Sequence, residues 1–327
     1  MSISDKNKKF SKLAALFVLL LFAIWSLSTK DMIATESHIF EVKKGSSMGS
    51  IAKELSNKGL IKSELFFTSF SKFLNANKKL KSGYYEILPG TSVWTFIDKI
   101  STGSVLSTKV TLIEGKTIKF YFNQLTNDPS IKPSGSLKEV MTSIGINEPY
   151  DGWFFPETYS FNYGESLENV LKRAHQELMK NLMVLWDQRD KGLPLKSPYE
   201  AIILASLIEN ETALDEEKSL IAGVFIRRLN EGMRLQTDPT VIYALGDAYS
   251  PPLKKSDLRI NSLYNTYRNK GLPPGAISSV GYQSLFAALH PSSNTDLYFV
   301  SKKDGSHAFA PNYEKHKENI KKYLNNN

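Results

Sequence analysis

The sequence predicts an α+β protein with an N-terminal transmembrane helix, a small module of short strands and helices, and a larger mixed domain. Three observations support this prediction. An uncharged apolar run lies near the N-terminus, a strand–glycine–helix pattern occurs three times in the first half, and amphipathic helices alternate with turn-rich segments in the second half. A chain of 327 residues has room for two or three such units.

Composition limits the classes of function. The chain is 41% hydrophobic and 23% charged, as expected of a globular protein. It contains no cysteine, which excludes disulfides, thiolate zinc sites and a lipobox cysteine. A net charge of +8 suggests an anionic neighbourhood such as a membrane surface or cell-wall polymers. The basic residues are scattered, so nucleic acid is not an expected partner.

The N-terminus predicts a membrane anchor. The run "LAALFVLLLFAIWSL" follows four lysines, and with its neighbours it reaches the roughly 17–25 residues that a bilayer requires. We expect residues 1–12 in the cytoplasm, residues 13–29 as a single-pass anchor in the bacterial inner membrane, and the rest outside the cytoplasm. A cleavable signal peptide is the alternative, with Ser26 and Ser28 as a small-x-small cleavage site.

Three segments of the first half repeat one pattern. Each has a short β-prone run, a glycine, and a hydroxyl residue two positions later that is suited to cap a helix. The glycines are Gly45, Gly90 and Gly115, and the caps are Ser47, Ser92 and Thr117. Apolar residues then recur at i, i+3, i+4 and i+7, which predicts a short helix with one buried stripe.

The first of these segments, "FEVKKGSSMGSIAKEL", resembles a LysM module, a small fold that holds N-acetylated glycans. With a second helix near Ser63–Leu74 and the strand "SGYYEIL", we expect this LysM-like module over residues 38–106. The alternative is that the repeats only pack a small α+β unit.

Residues 107–327 are expected to form the larger domain. Residues 126–150, which include "NDPSIKPSG", are expected to be a loop-rich connection. An extended aromatic segment with Glu157 follows, then a long helix over Ser166–Arg189 and a breaker at Lys191–Pro198.

The next helix, "YEAIILASLIENE", carries two glutamates. Glu211 continues an apolar stripe formed by Leu204, Leu207 and Ile208, whereas Glu209 points roughly 160° away at 100° per residue. A carboxyl group on such a stripe is desolvated, which raises its pKa and suits it to act as a general acid. The alternative is that the helix simply ends in solvent there.

Polar clusters follow the helix. Gln236, Thr237 and Asp238 form a polar group between apolar runs, where they could orient a sugar or a neighbouring carboxyl group. Two later segments, "YNTYRNKGLPPGAISSVG" and "ALHPSSNTDLYFV", combine turn formers, amides and aromatic residues, the mixture that a saccharide site requires.

Four blocks in series resemble the endolytic murein transglycosylases, the MltG/YceG-like family. They are "ASLIENETA", "RLNEGMRLQTDPTVIYALG", "YNTYRNKGLPPGAIS" and "HPSSNTDLYFVSKKDGSHAFA". The resemblance covers nearly the whole chain beyond the anchor. It implies a lytic transglycosylase, a carbon–oxygen lyase that cleaves the MurNAc-β-1,4-GlcNAc bond in nascent glycan strands, leaves 1,6-anhydroMurNAc ends and terminates strand elongation.

The resemblance also implies which residues act. The catalytic glutamate, followed by a hydroxyl residue, matches Glu211–Thr212 and not Glu209–Asn210. Residues expected from these blocks to bind or orient the glycan or the acid are Gln236, Thr237, Asp238, Asn265 and Tyr267. Glu157, outside the blocks, is expected to belong to the same set. The expected partners are peptidoglycan strands, the membrane and peptidoglycan synthases.

Two alternatives remain open. One is a glycoside hydrolase in which Asp238 or Glu157 supplies a second carboxylate. The other is a non-catalytic, membrane-anchored scaffold that binds the wall. No cofactor and no metal are expected, since the five histidines, among them His307 near the proposed site, lack the i, i+4 pairing of a zinc protease.

Overall fold

The computed structural model describes residues 32–324, which divide into two compact units. The first unit runs to Thr108 and takes in Ser160–Gly164. The second comprises Lys109–Tyr159 and the chain from Glu165 onward. The mixture of helices and short strands that the sequence predicts is confirmed.

The described part of the first unit, from residue 32 onward, has three α-helices and one antiparallel pair of strands around its own apolar core. In chain order these are β1 (His38–Val42), α1 (Met48–Asn57), α2 (Glu64–Phe73), β2 (Gly83–Ile87) and α3 (Val93–Thr102). Strands β1 and β2 pair antiparallel, with His38 opposite Ile87 and Val42 opposite Gly83. Strand β3 (Ser107–Thr111) pairs with β5 (Thr158–Asn162), and the chain passes between units within these two strands.

The repeated pattern is confirmed. The side chains of Ser47, Ser92 and Thr117 each accept a hydrogen bond from a backbone N–H in the first turn of α1, α3 and α4 (Ile118–Thr126). The glycines two residues earlier have positive φ angles of 83°, 80° and 70°, a region that strongly favours glycine. A strand precedes each turn, so each repeat is one strand, one turn and one capped helix.

The second unit is mainly helical. Its remaining helices are α5 (Leu137–Ile144), α6 (Leu167–Gln188), α7 (Pro198–Glu211), α8 (Asp215–Asn230), α9 (Asp238–Leu245), α10 (Tyr282–Leu289) and α11 (Tyr313–Tyr323). Two further strand pairs are β4 (Ile131–Lys132) with β6 (Glu165–Ser166), parallel, and β7 (Tyr298–Ser301) with β8 (His307–Ala310), antiparallel.

Helix α7 forms the centre of this unit. Every residue from Ala201 to Ile208 is buried, and helices α8 and α10 pack against it. The stripe predicted from the sequence is therefore not the only buried face, because α7 is enclosed on all sides until its last turn. A central helix of this kind places the residue at its C-terminus at a fixed position in the unit.

Residues 126–150, expected to be loop-rich, contain strand β4 and helix α5. The missed signal was a capping box, since Ser136 accepts from the Glu139 N–H and the Glu139 carboxylate accepts from the Ser136 N–H.

The predicted anchor at residues 13–29 lies outside the described residues. Between residues 32 and 324, no helix is both long enough and apolar enough to cross a membrane.

Candidate active site

Glu211 is the last residue of α7, and it lines a cavity of about 530 Å³ within the second unit. The start of α9, the loop that carries Tyr267, strand β7 and helix α11 supply the other walls of this Glu211 cavity. Glu211 is partly buried. The central helix therefore ends by presenting one carboxyl group to a space large enough for a sugar ring.

The cavity environment raises the pKa of Glu211 to about 7. Burial is the main cause, because the charged carboxylate loses solvation there. The negative charge of Asp238 raises the pKa further, while a hydrogen bond from Thr237 and the positive charge of Arg228 lower it. A carboxyl group with this pKa is about half protonated at neutral pH, the condition in which it can both give and take a proton.

The Thr237 hydroxyl lies 2.5 Å from Glu211 Oε2 and donates a hydrogen bond to it. Thr237 occupies the N-cap position of α9, yet its side chain caps no helical N–H. Its own backbone N–H donates to the Thr266 hydroxyl oxygen at 3.1 Å. Thr237, a residue type that normally caps a helix, donates its hydroxyl hydrogen bond to the Glu211 carboxyl group instead.

Asp238 and Tyr267 form a second pair in the Glu211 cavity. The Tyr267 hydroxyl donates to Asp238 Oδ1 at 2.5 Å. Burial raises the pKa of Tyr267, and the Asp238 carboxylate raises it further, so the hydroxyl stays protonated. The structure thus brings together three of the residues predicted to surround the acid: Thr237, Asp238 and Tyr267.

The structure places Gln236 at the wall of the Glu211 cavity, whereas it buries Asn265. Gln236 is exposed at the cavity wall and has a φ of 53°, the left-handed region that costs a non-glycine residue energy and that often marks functional sites. Asn265 is fully buried, and its side-chain amide donates to the carbonyls of Leu258 and Ile260. Asn265 cannot touch a substrate; its Oδ1 accepts from the Tyr267 N–H and so orders the loop that carries Tyr267.

Arg228, on α8, was missed by the sequence reasoning. Its side chain is buried, and it donates to the carbonyls of Leu297 and Leu235, each at 2.7 Å. The guanidinium carbon lies 5.1 Å from the centre of the Tyr298 ring in the cavity wall. Arg228 therefore holds a fixed positive charge beside the cavity, where it favours the ionised form of Glu211.

Buried Glu217 and partly buried His307 form a further pair. The Glu217 carboxylate accepts from the His307 backbone N–H at 2.8 Å, and its second oxygen lies 2.7 Å from the ring Nδ1. His307 lines the Glu211 cavity. Through these contacts Glu217 ties α8 to strand β8.

Two other carboxylates considered from the sequence lie elsewhere. Glu157 is exposed, and its Oε1 accepts from the Thr158 N–H. It is not among the residues that line the Glu211 cavity. Glu209 is buried at the opposite side of α7, where it accepts from the Gly281 N–H and lies 3.8 Å from the ammonium group of Lys218.

This geometry supports acid–base chemistry centred on one group. Glu211 is the carboxyl group in the cavity with a pKa near neutral, while Asp238 is bound by a tyrosine. A lone acid of this kind can protonate a leaving oxygen and then take up a proton from an attacking hydroxyl.

Comparisons with known proteins identify a family and relatives for this chain. The model of the YceG-like family matches residues 40–322. An endolytic murein transglycosylase of Bacillus subtilis (strain 168) is 31% identical over 309 residues, which cover 86% of this chain and 84% of that protein. One from Streptococcus pneumoniae (strain ATCC BAA-255 / R6) is 28% identical, and the match covers 87% of this chain and 58% of that longer protein.

A solved structure is similar as well. The 2.6 Å crystal structure of a yceG-like protein from Listeria monocytogenes has 29% sequence identity and a TM-score of 0.56. The match covers 87% of this chain and 99% of that one. With a family match over most of its length and a relative above 30% identity that it largely spans, this chain belongs to the YceG-like family.

Proposed function

We propose that this protein is an endolytic murein transglycosylase, a lyase that cuts MurNAc-β-1,4-GlcNAc bonds within peptidoglycan strands, with Glu211 as its acid and base. The relatives that carry this activity in their names support the reaction. The observation that supports Glu211 is its pKa of about 7 in a cavity lined by polar and aromatic side chains.

The reaction begins with protonated Glu211. Its proton goes to the glycosidic oxygen, the bond from that oxygen to C1 of MurNAc breaks, and positive charge develops at C1. The C6 hydroxyl oxygen of the same MurNAc then attacks C1, and its proton passes to the Glu211 carboxylate. One carboxyl group serves both steps, no water is consumed, and Glu211 is protonated again at the end.

The surroundings of Glu211 fit these two steps. The Thr237 hydroxyl and the Arg228 charge stabilise the carboxylate after it has given up its proton. The wall formed by Tyr298, Tyr313 and His316 offers aromatic faces of the kind that sugar rings contact. Exposed Gln236 supplies an amide for sugar hydroxyl or acetamido groups.

The test is the chemistry of the new ends. Uncrosslinked glycan strands digested by the full chain in detergent are expected to give fragments lighter by one water than a free reducing sugar, as measured by mass spectrometry. Free reducing ends would instead indicate a hydrolase, with Asp238 as the second carboxylate because it shares the cavity. Binding without cleavage would indicate the scaffold.

The remaining parts of the chain have proposed roles as well. Residues 13–29 anchor it in the bacterial cytoplasmic membrane, with both described units outside the cytoplasm and peptidoglycan synthases as neighbours. Residues 38–106 act as a LysM-like module that holds the glycan. The first unit's strand–helix–helix–strand core, closed by the β1–β2 pair, supports a small module with its own apolar centre.

Replacing Thr237 with valine tests how Glu211 is tuned. The change removes the hydroxyl that lowers the pKa of Glu211, so the pKa should rise above about 7. A general acid works below its pKa, so the loss of kcat/KM at high pH should begin at a higher pH than in the unmodified protein. At neutral pH we expect a loss of about tenfold, the size of one hydrogen bond to a charged group. Thr237→Ser keeps the hydroxyl and should restore both the rate and the pH profile.

A further inference from the structure

The first residues that the structure describes are already part of the first unit's core. Met32 is buried, and its N–H donates to the Thr91 carbonyl at 2.7 Å. The Ile33 N–H donates to the Leu60 carbonyl at 2.9 Å. The chain is therefore fixed to this unit from residue 32 onward, between the turn before α3 and the turn before α2.

The predicted anchor ends only a few residues earlier. Between position 29 and Met32 the chain advances three residues, which span at most about 10 Å when fully extended. The headgroup region on each side of a bilayer is itself roughly 5–7 Å thick. The place where residues 32 and 33 join the unit must then lie at the membrane surface.

Several large apolar side chains close in sequence to that junction are exposed. Ile33 is 45% exposed, and Leu65, at the start of α2 and five residues after Leu60, is 77% exposed. On the other side, Leu88 is 45% and Trp94 is 50% exposed. Leu88 belongs to the same turn as Thr91, since its N–H donates to the Thr91 hydroxyl, and Trp94 follows three residues later in α3.

We call these four residues, Ile33, Leu65, Leu88 and Trp94, the junction face, because each lies within five residues in sequence of a backbone group that fixes Met32 or Ile33 to the unit. Apolar side chains that remain exposed near one another usually mark a binding surface. Tryptophan in particular favours the boundary between water and hydrocarbon.

Charge indicates what the junction face contacts. Residues 32–108 contain ten lysines and six carboxylates, so the unit is basic. Lys62 is exposed between Leu60 and Leu65 in sequence and thus beside the junction. Each lysine near an anionic leaflet contributes about 1 kcal/mol of attraction. An apolar face on a unit with an excess of lysines matches the hydrocarbon and the anionic headgroups of a phospholipid surface.

We propose that the junction face rests on the anionic phospholipid surface of the membrane, with Leu65 and Trp94 inserted among the headgroups, so that the first unit is held in one orientation and not tethered loosely. This inference rests on the membrane anchor in the proposed function. It adds that the folded unit itself makes the contact.

The absence of cysteine from the sequence permits a direct test. Leu65→Cys in the full chain, reconstituted in vesicles with 30% phosphatidylglycerol, carries a single environment-sensitive fluorophore. The matched control is Ser82→Cys, because Ser82 is also exposed but precedes Gly83, at the end of the β1–β2 pair opposite to His38 and Ile87. Both variants leave the residues of the Glu211 cavity unchanged.

We expect brominated lipids to quench the label at position 65 at least threefold more strongly than the label at position 82. The difference should shrink when phosphatidylglycerol is replaced by phosphatidylcholine. Equal quenching at the two positions, a difference that does not depend on anionic lipid, or a full chain that is released from vesicles by carbonate would each overturn the inference.

Glycan cleavage measured in the same vesicles separates this inference from the proposed function. A chain that cleaves strands and shows equal quenching contradicts the junction face alone. A chain that shows the expected difference in quenching but produces no new ends contradicts the proposed enzyme and leaves the membrane contact in place.

Discussion

Replacing Glu211 with glutamine is expected to lower the rate of glycan cleavage by about 10²–10⁴-fold, the usual contribution of a general acid and base. Glutamine has the same shape and can still accept the hydrogen bond from the Thr237 hydroxyl. It cannot give up a proton to the glycosidic oxygen or take one from the C6 hydroxyl. The measurement is the rate at which 1,6-anhydro ends form at saturating glycan, together with the thermal midpoint of unfolding, which should change little.

The other carboxylates provide controls for this substitution. Glu157→Gln alters an exposed residue outside the Glu211 cavity and should leave the rate within about twofold, as surface changes away from a site usually do. Asp238→Asn removes a charge that raises the pKa of Glu211, so the loss of activity at high pH should begin at a lower pH. If Glu211→Gln retained full activity while Asp238→Asn abolished it, the assignment of the acid would be wrong.

Local structure could be predicted well from the sequence because it depends on nearby residues. The three capped helices follow from a glycine that permits positive φ and a hydroxyl two positions later, and Ser47, Ser92 and Thr117 all act as predicted. Helix α5 was missed although Ser136 and Glu139 form a capping box, because proline and glycine nearby favoured a loop.

The candidate site could be predicted only in part. Thr237 and Asp238 stand out as polar residues between apolar runs, and the structure places both beside Glu211. Arg228 has no such signal, since an arginine near the end of a helix ordinarily faces solvent. One of the carbonyls that its buried side chain contacts belongs to Leu297, 69 residues later in the chain. Contacts of this range arise from tertiary packing, which periodicity does not reveal.

The two glutamates of α7 differ in the same way. The sequence pattern separated their directions but did not identify the partner of Glu209. That partner is Lys218 on α8, whose side chain is only 6% exposed, while the Glu209 side chain is 7% exposed. Glu211 faces a cavity and Glu209 faces a buried cation, so one carboxyl group is available for chemistry and the other stabilises helix packing.

Replacing Lys218 with methionine should therefore destabilise the second unit by about 3–5 kcal/mol, the usual effect of removing one partner from a buried ion pair. Methionine preserves most of the stem volume but leaves Glu209 without a cation. Glu114 is close by, and its pKa is raised by burial and by the charge of Glu209, so two carboxylates would then repel each other. The measurement is the free energy of unfolding from urea denaturation of the full chain in detergent.

The double variant Glu209→Gln with Lys218→Met tests the cause of that loss. Because it removes both charges of the pair, it should recover at least half of the stability lost by Lys218→Met alone, as buried pairs replaced by neutral residues commonly do. The side-chain amide oxygen of the new glutamine could still accept the hydrogen bond from the Gly281 N–H that Glu209 accepts now. If the double variant were as unstable as Lys218→Met, the loss would come from packing of the lysine stem and not from the unpaired charge. Glycan cleavage by the folded double variant gives a separate test of the role of Glu209. If this variant still produces anhydro ends, Glu209 is not a catalytic residue.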